Sequence, residues 1–221
     1  MSSKLILKGN IVFTPEFGKI KVLENSYVVV EGKYIKGLYK ELPCEYKNES
    51  ISDYTGKLII PGFVDLHFHA PQLVNRGLGL DKELLPWLET YTFPEETKYS
   101  DLKYVKKAYE KVVYELWKNG TTRAVLFGTI HKEGTIILME LLDKAGLGAY
   151  VGKVNMDRNA PDFYVEETEE SLLKTKEFIE ETIDKYDLVK PIITPRFVPT
   201  CTLKLMKGLG ELAKKYKVKI Q

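Results

Sequence analysis

From Pro61 onward, short apolar runs alternate with longer amphipathic segments, and this alternation constrains the chain more than any other feature. It points to βα units and a parallel sheet. The predicted strands cover residues 62–67, 122–127, 149–154, 192–197 and 218–220. Between the first two, residues 101–119 place Leu102, Val105, Ala108, Val112, Val113 and Leu116 at helical spacing, with Ser100 available as a cap and Gly120 as a terminator. Further helices are predicted over about 134–145, 168–185 and 202–216.

The first sixty residues read differently. Short β-like runs, Leu5 to Leu7, Ile11 to Phe13, Tyr27 to Val30 and Tyr34 to Leu38, predict a small antiparallel sheet, and Gly32 supplies the positive φ of a tight hairpin. Residues 40–56 are polar and aperiodic and are expected to form a connection before Leu58-Ile59-Ile60. The predicted organisation is therefore α/β: a small β-sheet domain over 1–60, then the first part of a (β/α)8 TIM-type barrel over 61–221. An eight-unit barrel takes roughly 250 residues, so this length suffices for about five strands. The fifth, Lys219-Ile220-Gln221, has no helix to cover it, and the chain is expected to be the N-terminal portion of such a barrel.

Composition narrows the function. Hydrophobic residues make up 44% and charged residues 29% of the chain, ordinary for a globular protein, and the formal net charge of +2 provides no basic field for nucleic acid or a membrane surface. Cys44 and Cys201 form no C-x-x-C pattern, which argues against a cysteine-ligated zinc site and fits a reducing cytoplasm. The amino terminus lacks a charged leader with a following apolar run, and no stretch reaches the roughly 18 apolar residues of a membrane span. A soluble, cytoplasmic protein with a small-molecule partner is the expectation.

The segment Ile60-Pro61-Gly62-Phe63-Val64-Asp65-Leu66-His67-Phe68-His69 carries the chemistry. Side chains two apart on a strand share a face, so His67 and His69 would project together as nitrogen ligands from the C-terminal end of the first barrel strand. Imidazole suits zinc and also iron. This segment resembles the P-G-[FL]-[IV]-D-x-H-x-H signature of the amidohydrolase superfamily. The resemblance implies that His67 and His69 bind Zn2+ (Fe2+ being the other candidate). It also implies that further ligands follow strands five, six and eight, and that the general acid/base glutamate belongs to an H-x-[SA]-E motif beyond Gln221. No catalytic acid/base is thus expected within the chain, which should be inactive alone. His131 follows strand two, where that pattern has no ligand.

Three more segments resemble the guanine deaminase branch of that superfamily: His69-Ala70-Pro71-Gln72, the loop from Leu85 to Glu96 (LPWLETYTFPEE), and Thr194-Pro195-Arg196-Phe197. The resemblance implies hydrolysis of guanine to xanthine and ammonia, with Gln72 and Arg196 hydrogen-bonding the purine, Phe197 lining the pocket, and a homodimeric intact protein. An arginine fork or an amide can meet the adjacent carbonyl and ring-nitrogen acceptors of guanine in the ring plane. Two alternatives stay open: a related hydrolase of another aminated or chlorinated heterocycle, and a non-catalytic half-barrel module. The other deaminase design needs H-x-E and P-C-x-x-C, and neither occurs. Trp87, Tyr91 and Phe93 are expected to pack, His131 to orient backbone, and Cys201 to be unreactive, while Asp157 and Arg158 are either supports for the site or a local ion pair.

Overall fold

The computed structural model describes residues 3–221, which divide into two compact units, the first ending at Gly62 and the second being Phe63–Gln221. In the first unit, β1 (Lys4–Glu16), β2 (Lys19–Glu31), β3 (Tyr34–Tyr39) and β4 (Ile51–Ile59) form one sheet in the order β3-β2-β1-β4. Gly32, at φ 59°, makes the β2–β3 hairpin as predicted. Two expectations fail here. Residues 51–56 are strand rather than connection, and because β4 runs parallel to β1 the sheet is mixed, not antiparallel. Ser52, Asp53 and Gly56 have poor strand propensity, and pairing with β1 overrides it. Ile6, Val29 and Tyr46 form this unit's small core.

The second unit opens with β5 (Phe63–His69), a 3-10 turn (Ala70–Asn75), and a helical run in which α1 (Leu84–Trp87) passes through a π-helical turn (Leu88–Thr92) into α2 (Phe93–Thr97). Then follow α3 (Leu102–Lys118), β6 (Thr121–Phe127), α4 (Lys132–Lys144), β7 (Gly148–Gly152), β8 (Val154–Asn155), α5 (Thr168–Thr182), β9 (Val189–Pro191), β10 (Thr194–Pro195) and α6 (Leu203–Tyr216). The sheet is parallel throughout, in the sequential order β5-β6-β7-β9, as helical crossovers between neighbouring strands require. Beyond a break in each strand, β8 pairs with β10, also in parallel.

Helix α3 buries Val105, Ala108, Val112, Val113 and Leu116 as predicted and Tyr109 besides, while Leu102, at its first position, is exposed. Its cap is Asp101, whose carboxylate accepts from the Lys103 N–H at 2.8 Å, and not Ser100, whose hydroxyl donates to the Thr97 carbonyl instead. Gly120, at φ 75°, ends it. These side chains meet Leu126, Leu138, Met139, Leu142, Val151 and Phe178 in the main core.

The fourth strand begins earlier than the apolar run at 192–197 suggests, since Val189 already pairs with Ala149, and residues 218–220 contribute only a bridge between Ile193 and Ile220. The break between β7 and β8 falls on Lys153. Its buried ammonium lies 2.6 Å from Glu166 and donates to the Val154 carbonyl at 2.9 Å, so a charge in the interior is paired and hydrogen-bonded.

At Gly152 a side chain would meet the Ile192 carbonyl oxygen at 2.7 Å and the Thr194 side chain beside it. Gly152→Ala is therefore expected to destabilise the protein by about 1–3 kcal/mol, measured as a lower urea midpoint with an unchanged slope.

Candidate functional site

The site lies at the C-terminal ends of the parallel strands in the second unit. Strand alternation brings His67 and His69 together, with ring centroids 5.1 Å apart at an interplanar angle of 67°. Phe127, at the same end of the adjacent β6, stacks on His69 at 4.3 Å and lies 5.0 Å from His67. Burial, Arg196 and His67 together push His69 down to about 4, so its imidazole is neutral around pH 7, the form that binds metals. His69 Nδ1 is buried without a hydrogen-bond partner.

A neutral imidazole with an unpartnered buried nitrogen, beside a second imidazole on the same strand face, fits zinc or iron, and His67 and His69 are the residues that would hold the ion. Among the described residues no cluster of three or more His, Cys, Asp or Glu is placed to bind a metal.

Arg196 and Gln72 converge on a residue that sequence reasoning did not single out. Arg196 follows β10, and its buried guanidinium donates to both oxygens of Glu96, from Nη1 at 2.6 Å and from Nη2 at 3.3 Å. Gln72, in the turn after β5, donates from Nε2 to Glu96 Oε1 at 3.4 Å, and the Tyr164 hydroxyl donates to Oε2 at 2.8 Å. The Arg196 guanidinium also sits 5.1 Å above the Phe93 ring. Burial disfavours the Arg196 charge, but Glu96 outweighs it and raises the pKa above the ordinary arginine value. Tyr164 is pushed well up by burial and by Glu96, so it remains a hydroxyl donor.

Phe197 is half-buried and packs against the cluster of Leu88, Phe93, Phe127, Val154, Met156 and Tyr164. This cluster connects the histidine pair, through Phe127, to the Arg196–Glu96 pair, through Phe93 and Tyr164. Phe93 does pack, yet it also forms the floor under Arg196. Trp87 packs against the same cluster and donates to the Leu78 carbonyl at 2.9 Å, and Tyr91 lies against Gly79.

Other candidates fall into supporting roles. The His131 ring is 6.1 Å from Tyr164, with Nε2 buried and without a hydrogen-bond partner. Arg158 donates to the Val198 carbonyl at 3.1 Å. Asp157 accepts from the Thr202 N–H and hydroxyl, each at 2.6 Å, and from the Thr168 hydroxyl at 2.7 Å, tying the starts of α5 and α6 to the end of β8. The buried Cys201 thiol donates to the Asn155 carbonyl at 3.3 Å, and burial raises its pKa, which keeps it protonated.

Residues 58–221 match the Amidohydrolase family, and the chain belongs to that family. Within it, the chain is similar to guanine deaminases: 41% identical to that of Dictyostelium discoideum and 39% to that of Homo sapiens, each over 98% of this chain but only 52% and 46% of the relatives. The crystal structure of the guanine deaminase from C. acetobutylicum with guanine bound in its active site is 50% identical and superposes with a TM-score of 0.95. That match covers 99% of this chain and 52% of the other. The chain thus spans about half the length of the relatives it matches. None of the described helices is long and apolar enough to cross a membrane.

Burial works against ionised Asp157, but the Thr202 and Thr168 hydrogen bonds outweigh it and hold the pKa below the ordinary 3.8. A folded-state pKa below the unfolded value contributes stability above pH 3.8 and loses it as the pH falls toward the folded-state value. Asp157→Asn is therefore expected to be less stable than the parent at pH 7, with the gap narrowing below pH 4, checked by urea unfolding across that range.

Proposed function

We propose that these residues form the purine-recognition side and part of the metal site of a zinc-dependent hydrolase that converts guanine and water to xanthine and ammonia. One observation carries the reading. A buried guanidinium, the group that commonly reads guanine's O6/N7 edge, meets a half-buried amide on one carboxylate, and they share an aromatic cluster with the histidine pair. Similarity to a guanine deaminase with guanine bound supports the same substrate here. On this reading the parallel sheet is part of a (β/α)8 barrel, whose chemistry is placed at the C-terminal ends of its strands.

In the reaction a C–O bond forms at C2 of guanine, and the C2–N bond to the exocyclic amine breaks, releasing ammonia. His67 and His69 would hold a divalent ion, zinc in this proposal, which would supply the Lewis acidity that makes water nucleophilic near neutral pH. Arg196 donates to the acceptor edge of the purine and fixes the ring plane. Gln72 contributes its amide on the same side, and Phe197 forms an apolar wall. Catalytic zinc normally takes three or more protein ligands. The remaining ligands and the acid/base group are accordingly proposed to lie outside these residues, so activity belongs to the intact protein. The family resemblance supports a homodimer, and the two free cysteines fit a reducing cytoplasm.

Purified intact protein supplied with zinc should release ammonia from guanine and not from adenine or cytosine; no ammonia from guanine refutes the reading. Arg196→Lys replaces a planar fork by a point charge and should lower kcat/KM for guanine about 10- to 100-fold. His67→Ala and His69→Ala should each lower bound zinc, measured by elemental analysis, and lower kcat/KM by at least about a hundredfold.

A further inference from the structure

The deamination reading assigns purine contacts to Gln72 and Arg196 and gives no role to the carboxylate that both of them touch. The Glu96 side chain is only 1% exposed, yet it is the acceptor for four hydrogen-bond donors: Arg196 Nη1 and Nη2, the Tyr164 hydroxyl, and Gln72 Nε2. A carboxylate has about four lone-pair directions, so this one is saturated and has none left for a ligand. It acts on what surrounds it.

Its effect on Arg196 is to take one N–H from each terminal nitrogen, with Phe93 under the guanidinium, which fixes the plane and leaves the other donors free. Its effect on Gln72 is to choose the sense of an amide. An acceptor-only partner holds the NH2 end, so the carbonyl end faces away from Glu96 as an acceptor. A guanidinium donor beside an amide acceptor complements the lactam edge of an oxopurine, where a carbonyl oxygen adjoins an N–H. The edge of a 6-aminopurine, with an NH2 donor beside a bare ring nitrogen, has the opposite polarity.

We propose that Glu96 is a positioning residue that sets specificity for a 6-oxopurine, holding the Arg196 plane and the Gln72 amide sense without touching the substrate; this rests on the guanine reading above. The polarity of the edge is the property it selects. Opposite hydrogen-bond polarity leaves buried polar groups unpaired, which separates substrates far better than a difference in size does.

The test uses the intact zinc-loaded protein with guanine and with 2,6-diaminopurine, which keeps the reacting 2-amino group but carries an amine in place of the 6-carbonyl. Glu96→Gln can donate as well as accept, so it releases the amide sense of Gln72. Expected are a rise of about 10- to 100-fold in KM for guanine, a fall of less than about tenfold in kcat, and a preference for guanine over 2,6-diaminopurine that narrows at least about tenfold. Glu96→Asp, which keeps an acceptor-only group, should recover part of that preference. Tyr164→Phe removes a single donor and should move KM the same way by about three- to tenfold with zinc content unchanged. It carries the test should the Glu96 variants not fold.

Equal loss of kcat on both substrates, with KM and the preference unmoved, overturns the assignment while leaving guanine deamination standing. An unsubstituted protein that does not deaminate guanine overturns the functional reading and this assignment with it.

Discussion

The Glu96–Arg196 pair joins residues 100 positions apart, from α2 to the end of β10, inside an aromatic cluster with almost no water access. Removing two charges from water costs several kcal/mol per ion, which attraction between them offsets only when the remaining hydrogen-bond positions are also filled. On the carboxylate they are, with four donors to its two oxygens, while the guanidinium rests on Phe93. Losing either partner would strand a buried charge at a cost of about 3–5 kcal/mol. The pair therefore ties α2 to the end of β10. Lys153–Glu166, the other buried pair, spans only 13 positions and secures a local break in a strand.

The pair also governs the charge felt by the histidines. Arg196 is near enough to help lower the pKa of His69, and a metal ion there would face the same positive field. With Glu96 bound to the guanidinium, the local sum of side-chain charge is close to zero. A cation can then sit beside the guanidinium without strong mutual repulsion. The stack of Phe127 on His69 limits solvent on that side and restricts the His69 ring.

Much of this was legible in the chain. The period of two in His67-Phe68-His69 gives a shared face directly, and the stripe of α3 follows from spacing alone. Arg196 and Gln72 were found through short segments with a family likeness. Glu96 stood inside one of those segments but carried no periodic or spacing signal, because its partners at positions 164 and 196 are brought to it only by folding. β4 was missed for a related reason: its polar residues become strand through pairing with β1. The start of the fourth strand was misplaced because the Ile192–Ile193 apolar run drew the prediction away from Val189, where sheet pairing begins. Local rules read elements, whereas partners chosen across a hundred residues belong to tertiary structure.

The π-helical turn Leu88–Thr92 lies immediately before Phe93 and Glu96. Such a turn holds one residue more than the α-helix around it, and each residue turns the helix by about 100°. Losing a single residue there would restore regular α geometry and swing the Phe93 floor and the Glu96 carboxylate away from Arg196 together. No substitution at either position could compensate, since the error would lie in phase rather than in side-chain identity. Length in this stretch is thus under tighter constraint than composition, and variation among proteins built this way should appear as exchanged residues and not as gaps.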